Sequence, residues 1–287
     1  MKMLIIAALA TAAPAPKYVT PTDIVGKAPA AAWRTIPAED LLVVELKSGA
    51  RVVIQLAPAF APVHVANIRA LARAKWWDGA AIYRVQDNYV VQWGHNDGRT
   101  LPAGIVAKPP AEYDSAAGGV KVTPFPYRDS YAQRAGFAGG WPVAVQATRV
   151  NLTHCYGYVG VGRGLSPDTG TGGELYAVIG QAPRQLDRVI AIVGRVISGI
   201  EAMSSLPRGT EALGFYKERS SDVPIASARL AADMPVAERP AYEMMDTDSA
   251  TFAAYVLKRA NRRDDFYIRP AGGVDLCNVP VPVRLVK

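Results

Sequence analysis

Hydrophobic and polar positions alternate early in the chain. In "LLVVELKSGARVVIQLA", residues 41–57, Val44, Leu46, Val52, Ile54 and Leu56 recur at a period of two. "KSGA" separates the two β-rich runs, which predicts a hairpin. The period then changes. In "APVHVANIRALARAKWW", residues 61–77, Val65, Ile68, Leu71 and Ala72 fall at helical spacing, and Pro62 suits a first turn. Asp78–Gly79 marks a turn, and "IYRVQDNYVVQWG", residues 82–94, reads as a strand pair. Residues 95–154 hold many Gly and Pro and only short apolar runs, so they are expected to be loop-heavy. Strand-like runs resume at 156–162, 174–180, 189–197 and 223–232, with a short helix over 198–206.

The ends differ from the middle. Residues 14–39, rich in Pro, Ala and Thr, read as an extended arm. Residues 233–287 form an extension. Within it, "TDSATFAAYVLKRAN" places Phe252, Tyr255 and Val256 on one helix face, and the prolines of "LCNVPVPVRLV" forbid a helix. Many strands, two helices and long loops predict a mainly β chain. The expected form is a closed antiparallel barrel over residues 40–232, with helices at its ends and a C-terminal extension.

Composition adds compartment. "MKMLIIAALATAAPAP" carries Lys2, an apolar run and then small residues, the layout of a secretory signal peptide over residues 1–13. The run is too short to span a bilayer, and nothing later is long and apolar enough to do so. The protein is expected to be periplasmic or secreted. In that setting Cys155 and Cys277 either pair as a disulfide or stand as two separate buried thiols. The net charge is +7, but only Lys258, Arg259, Arg262 and Arg263 crowd together. Such a cluster reads first as a solvated helix face, so no nucleic acid is expected as partner.

The usual chemical constellations are missing. His64, His95 and His154 lack metal-ligand spacing, so no metal is assigned. The glycines of "GVGRG" and "GTGG" lead to a second strand rather than a helix, which does not fit a dinucleotide loop. "NLT" at 151–153 matches a glycosylation tripeptide of low specificity. What remains is Arg84 and Gln92, polar groups in a core-like strand pair. A core rejects such groups unless they are partnered.

As a whole, residues 61–94 resemble the cyclophilin peptidyl-prolyl isomerases. In that family a helix of form AP-x-x-VANF precedes YYDG-x-x-FHRV-x-x-x-F-x-x-QGGD. The likeness resumes at "GYVGVGRG" and at "GGELYAVIGQAPRQLDRVIAIVGRVISGIEAM", and covers about residues 41–232. The resemblance implies an eight-stranded barrel and an enzyme that rotates X–Pro bonds. Arg84 would donate to the prolyl nitrogen, and Gln92 would hold Arg84. Tyr89, Val90, Tyr176 and Leu186 would line the ring pocket, with Gly162 and Arg163 beside it on the peptide backbone. Such a reaction needs no nucleophile, proton transfer, metal or cofactor.

The departures lie in the pocket. Val90 stands for the family's methionine, and Tyr89 and Tyr176 for its phenylalanines. Glu174 stands for a glutamine, Ile190 for a histidine, and Arg184 or Gln185 for a tryptophan. These changes predict reduced activity and poor cyclosporin binding. The expected client is an unfolded or extended proline-containing polypeptide, engaged by a monomer. The rival readings are a non-enzymatic chaperone using the same groove, and a scaffold whose tail docks on an envelope partner.

Overall fold

The computed structural model describes residues 18–95 and 97–286. The expected signal peptide, residues 1–13, lies outside the described residues. Eight antiparallel strands close a barrel: β1 (Leu41–Leu46), β2 (Arg51–Leu56), β3 (Ala81–Val85), β4 (Val90–Gly94), β5 (Tyr158–Val161), β6 (Leu175–Val178), β7 (Ile192–Ser198) and β8 (Val223–Leu230). Around the barrel the order is β5-β6-β4-β3-β8-β1-β2-β7. Every strand therefore has two neighbours, and no long edge is left unpaired. The alternating residues of the first hairpin do what their period predicts. Val44, Leu46, Val52, Ile54 and Leu56 meet Ile82, Val85, Val91, Val161 and Leu175 in the barrel core.

The helix Pro62–Arg73 closes one end by burying Val65, Ile68, Leu71 and Ala72. The two indoles that follow, Trp76 and Trp77, both donate to the Gly173 carbonyl, at 3.1 and 3.0 Å. Two polar side chains on the helix are also buried, and each is satisfied. Asn67 bonds the carbonyls of Val106 and Thr171. The His64 ring lies 2.6 Å from a Glu112 oxygen.

The segment expected to be loop-heavy carries a five-stranded sheet, built on Arg134–Ala138, Trp141–Gln146 and Arg149–Leu152. Gly139 and Gly140 both take positive φ, +55° and +87°, which makes the tight hairpin between the first two possible. Asn151 and Thr153 of the tripeptide are buried in this region, so it is no surface glycosylation acceptor. The extended arm is also more ordered than its composition indicates. It forms a helix at Pro21–Gly26, with Thr20 and Asp23 making a capping box. Its strand Trp33–Thr35 joins Tyr242–Met245 and Val283–Leu285 of the C-terminal extension in a three-stranded sheet.

Arm, insertion and extension share a second core of Trp33, Phe125, Phe137, Met245, Phe252 and Leu276. In it, the rings of Phe137 and Phe252 meet edge to face at 4.8 Å. The helix Ala250–Ala260 buries Phe252, Tyr255 and Val256, the face its spacing predicts. Arg195 on β7 ties the barrel wall to the hairpin of the insertion. It donates to Gln55 and to the Gly140 carbonyl and lies 4.6 Å over the Trp141 ring. Cys155 and Cys277 are joined as a disulfide that ties the barrel side of the insertion to the extension, across 122 residues of sequence.

Candidate active site

The position of Arg84 follows from an irregularity in the backbone. Strands β3 and β4 pair Ile82 with Trp93 and Arg84 with Gln92, so Tyr83 is an extra residue in a bulge. A bulge breaks the strict in–out alternation. Ile82 and Val85 therefore both reach the barrel core, while Tyr83 and Arg84 both sit on the outer side. On β4 the alternation is intact. Val91 and Trp93 point inward, and Val90 and Gln92 outward. The bulge thus sets Arg84 directly opposite Gln92.

Three protein acceptors orient the guanidinium. Nη1 donates to Gln92 Oε1 at 3.0 Å, Nε to the Leu213 carbonyl at 2.7 Å, and Nη2 to Gln86 Oε1 at 2.5 Å. The plane lies 5.4 Å from the Phe215 ring centroid and 5.9 Å from that of Tyr89. An arginine has five N–H groups, so two remain to donate elsewhere. Partial burial lowers its pKa below the ordinary value, with Tyr89 and Tyr83 acting in the opposite direction. A guanidinium stays charged under such a shift.

Gln92 is fixed at both ends of its amide. Its oxygen accepts from Arg84, and its nitrogen donates to the Tyr83 hydroxyl at 2.7 Å. That hydroxyl in turn donates to Glu174 Oε2 at 2.5 Å. The bulge and the residue before β6 therefore build one chain, Glu174–Tyr83–Gln92–Arg84. Gly162 packs against it. A Cβ there would stand 2.9 Å from Glu174 Cβ and 3.3 Å from Gln92 Nε2.

Burial raises the Glu174 carboxyl from 4.5 to about 7, opposed by the bonds from Tyr83 and the His95 backbone and assisted by Asp97. Between 4.5 and 7 the folded state holds a proton that the unfolded chain has released. Stability is therefore greatest below that window, falls as the pH rises through it, and carries the full cost above it. The shift corresponds to about 3 kcal/mol. Glu174→Gln is expected to remove this slope. Urea midpoints of the two proteins across the window check it, and parallel curves would refute it.

Beside this chain lies an apolar patch of Val90, Tyr176 and Val178, with Tyr89 and Ile190 packed against it. Tyr176 pairs in register with Gln92 on one side and Gly160 on the other. Its ring occupies the space over Gly160, where a Cβ would come within 2.3 Å of it. The hydroxyl meets His154 Nε2 at 2.9 Å, while Asp187 faces His154 Nδ1 at 3.2 Å. In the tautomer that carries its hydrogen on Nδ1, facing that carboxylate, Nε2 accepts a hydrogen bond from the tyrosine hydroxyl. Burial foremost, with Tyr89 and Asp187, pushes the Tyr176 pKa up.

Of the two residues aligned with the family's tryptophan, Gln185 is exposed and Arg184 is buried. Arg184 pairs with Asp129 through two bonds, 2.8 and 3.1 Å, and with Asp187 at 2.6 Å. Tyr131 lies 4.9 Å from its guanidinium carbon. Where a wall residue was expected, an ion-paired hub ties the insertion to the pocket floor through Asp187 and His154.

The structure brings Arg84, Gln92, Tyr89, Val90, Tyr176 and Gly162 together. Arg163 lies at the margin. It donates to the carbonyls of Gly164 and Val189, and its charge acts on Tyr176. Leu186 is half-buried in the helical turn Arg184–Leu186. The reading of the sequence missed Tyr83, Phe215, Leu213, His154, Asp187 and Asp129. Only Tyr83 carried a local signal, as the residue between an inward Ile82 and an outward Arg84. Among the described residues no cluster of three or more His, Cys, Asp and Glu is placed to hold a metal, and no helix is long and apolar enough to cross a membrane.

A family model, cyclophilin type peptidyl-prolyl cis-trans isomerase/CLD, matches residues 41–230. Proteins from Brucella suis biovar 1 and Brucella melitensis biotype 1, each named probable peptidyl-prolyl cis-trans isomerase, are 25% identical to this chain over 174 residues. The match covers 61% of this chain and 74% of each of theirs. The crystal structure of cyclophilin AquaCyp293 from Hirschia baltica aligns with a TM-score of 0.72 at 22% identity, covering 93% of this chain and 98% of that one. That likeness in fold extends past residues 41–230 into the arm and the extension. From the barrel order, the bulged Arg84–Gln92 pair and the match across two thirds of its length, the chain belongs to the cyclophilin-type peptidyl-prolyl cis-trans isomerases and shares their activity.

Proposed function

We propose that Arg84 drives the isomerisation by donating a hydrogen bond to the prolyl nitrogen as the X–Pro bond twists. In the planar amide that lone pair is delocalised and accepts nothing. At the twisted geometry it is localised, so the bond is strongest in the transition state and lowers the barrier. The observation that carries this reading is the anchored guanidinium. Three acceptors fix its plane and leave two N–H groups to donate, and its partner Gln92 pairs in register with Tyr176 of the apolar patch. The patch would hold the ring while the chain on the amino side rotates. Isomerisation of a proline tetrapeptide by Arg84→Lys tests it. Lysine keeps the charge but lacks the rigid fork, so a loss of roughly tenfold or more is expected. Wild-type rates would sink the donor role.

The physiological setting we infer is the folding of exported proteins, with proline-containing unfolded chains as clients. The leader-like N-terminus and the disulfide, which suits an oxidising compartment, support it. Mass spectrometry of the protein recovered from the periplasmic or secreted fraction should find residues 1–13 removed. Recovery of the uncleaved chain from the cytosol would overturn this placement.

A further inference from the structure

The loop after the C-terminal helix holds large apolar side chains in water. Phe266 is 83% exposed, Ile268 70% and Tyr267 42%. On the helix just before it, Leu257 is 59% exposed. Exposed apolar residues scattered singly require no account, whereas a contiguous patch marks an interaction site.

This loop is built rather than slack. The Asp264 carboxylate accepts from the backbone N–H groups of Phe266 and Tyr267, at 3.0 and 2.8 Å. Arg262 donates to the other Asp264 oxygen at 2.8 Å and lies 4.1 Å over the Tyr267 ring. The Phe266 and Tyr267 rings meet edge to face at 5.0 Å, and the Ile268 N–H bonds the Phe266 carbonyl at 3.1 Å. The fold therefore fixes a tip that points three apolar side chains away from its own core.

The charges around the tip say what it fits. Residues 257–269 carry five cations, Lys258, Arg259, Arg262, Arg263 and Arg269, against two carboxylates, Asp264 and Asp265. Arg259 is held by the Asn278 carbonyl, and Asp264 is neutralised by Arg262. Arg263 and Arg269 are exposed on either side of the apolar triplet, with Asp265 the one exposed opposing charge between them. A protein partner would require a cavity complementary to three exposed apolar side chains flanked by cations. A lipid surface requires none: the apolar tip enters between headgroups and the flanking cations stay at phosphate level.

We propose that residues 257–269 form a peripheral membrane hook for an anionic phospholipid surface, which places the isomerase groove beside a bilayer. The test is cosedimentation of the purified full chain with phosphatidylcholine vesicles, with and without phosphatidylglycerol. The wild type should bind the phosphatidylglycerol vesicles and lose binding as salt rises. Phe266→Ala/Ile268→Ala should weaken that binding roughly tenfold or more, and Arg263→Glu/Arg269→Glu should abolish the preference for anionic lipid. Both variants keep residues 1–13, so a difference reports the loop rather than the N-terminus. Unchanged melting temperature and isomerase rate on a tetrapeptide show that each variant is folded. Equal binding to both vesicle types, or binding that survives Phe266→Ala/Ile268→Ala, overturns the proposal. So does a wild type that ignores phosphatidylglycerol vesicles, whether or not its loop captures an acidic protein.

Discussion

Replacing Arg84 by alanine is expected to lower kcat/KM on a proline tetrapeptide by about 10²–10³-fold, the usual cost of removing one preorganised donor from a developing acceptor. The loss should fall on kcat and spare KM. The planar ground-state amide offers its nitrogen to no donor, so only the twisted state misses the guanidinium. The fold should survive. Arg84 is half-buried, and the groups it leaves, Leu213 O, Gln86 Oε1 and Gln92 Oε1, belong to residues that are themselves half-buried or exposed. A melting temperature within a few degrees of wild type would separate lost chemistry from lost structure. A fall of less than tenfold, or one confined to KM, would mean that the groove binds prolyl peptides but that another group stabilises the twist.

The second large effect is on stability. Cys155→Ala/Cys277→Ala is expected to destabilise the protein by up to about 4 to 5 kcal/mol, since the crosslink closes a loop of 122 residues. In a chain of this size that corresponds to a fall in melting temperature of up to roughly 7–8 °C. The disulfide joins elements that reach each other late in the sequence: Cys155 just before β5 and the turn Leu276–Asn278 in the extension. Without it, the extension still has Phe252, Leu276 and Val279 in the second core, so the expected result is a weaker fold rather than a detached tail. Thermal melts of the double variant, and of the wild type with and without reductant, check it. Equal melting temperatures would show that the extension is held by packing alone.

Much of the barrel was legible because its elements announce themselves locally. The hairpin of β1 and β2, the helix Pro62–Arg73 and the outward Gln92 all follow from period and turn residues within a few positions. The insertion was not legible for the opposite reason. Its strands Arg134–Ala138 and Arg149–Leu152 are short, and "GFAGGWP" reads as a breaker although its two central glycines make the hairpin. Nor does composition reveal that Trp33–Thr35 pairs with Tyr242–Met245, some two hundred residues later. At the site, the Arg84–Gln92 pair was visible in sequence, whereas Asp129 and Arg184 are 55 residues apart and meet only after the insertion folds back. Glu174 was visible as a departure, but its bond to Tyr83 joins two residues 91 positions apart and forms only when β6 pairs beside β4.

The bulge in β3 has a consequence for how the site tolerates change. Because Tyr83 is the extra residue, it shares the outer side with Arg84, and its hydroxyl and the guanidinium both reach Gln92. Deleting Tyr83 would leave Ile82 inward and Arg84 outward, still opposite Gln92 in a regular ladder, but would remove the hydroxyl that joins Gln92 to Glu174. The extra residue therefore adds a link rather than turning the guanidinium: without it the Gln92 amide and the Glu174 carboxyl would each lose a partner while Arg84 kept its face.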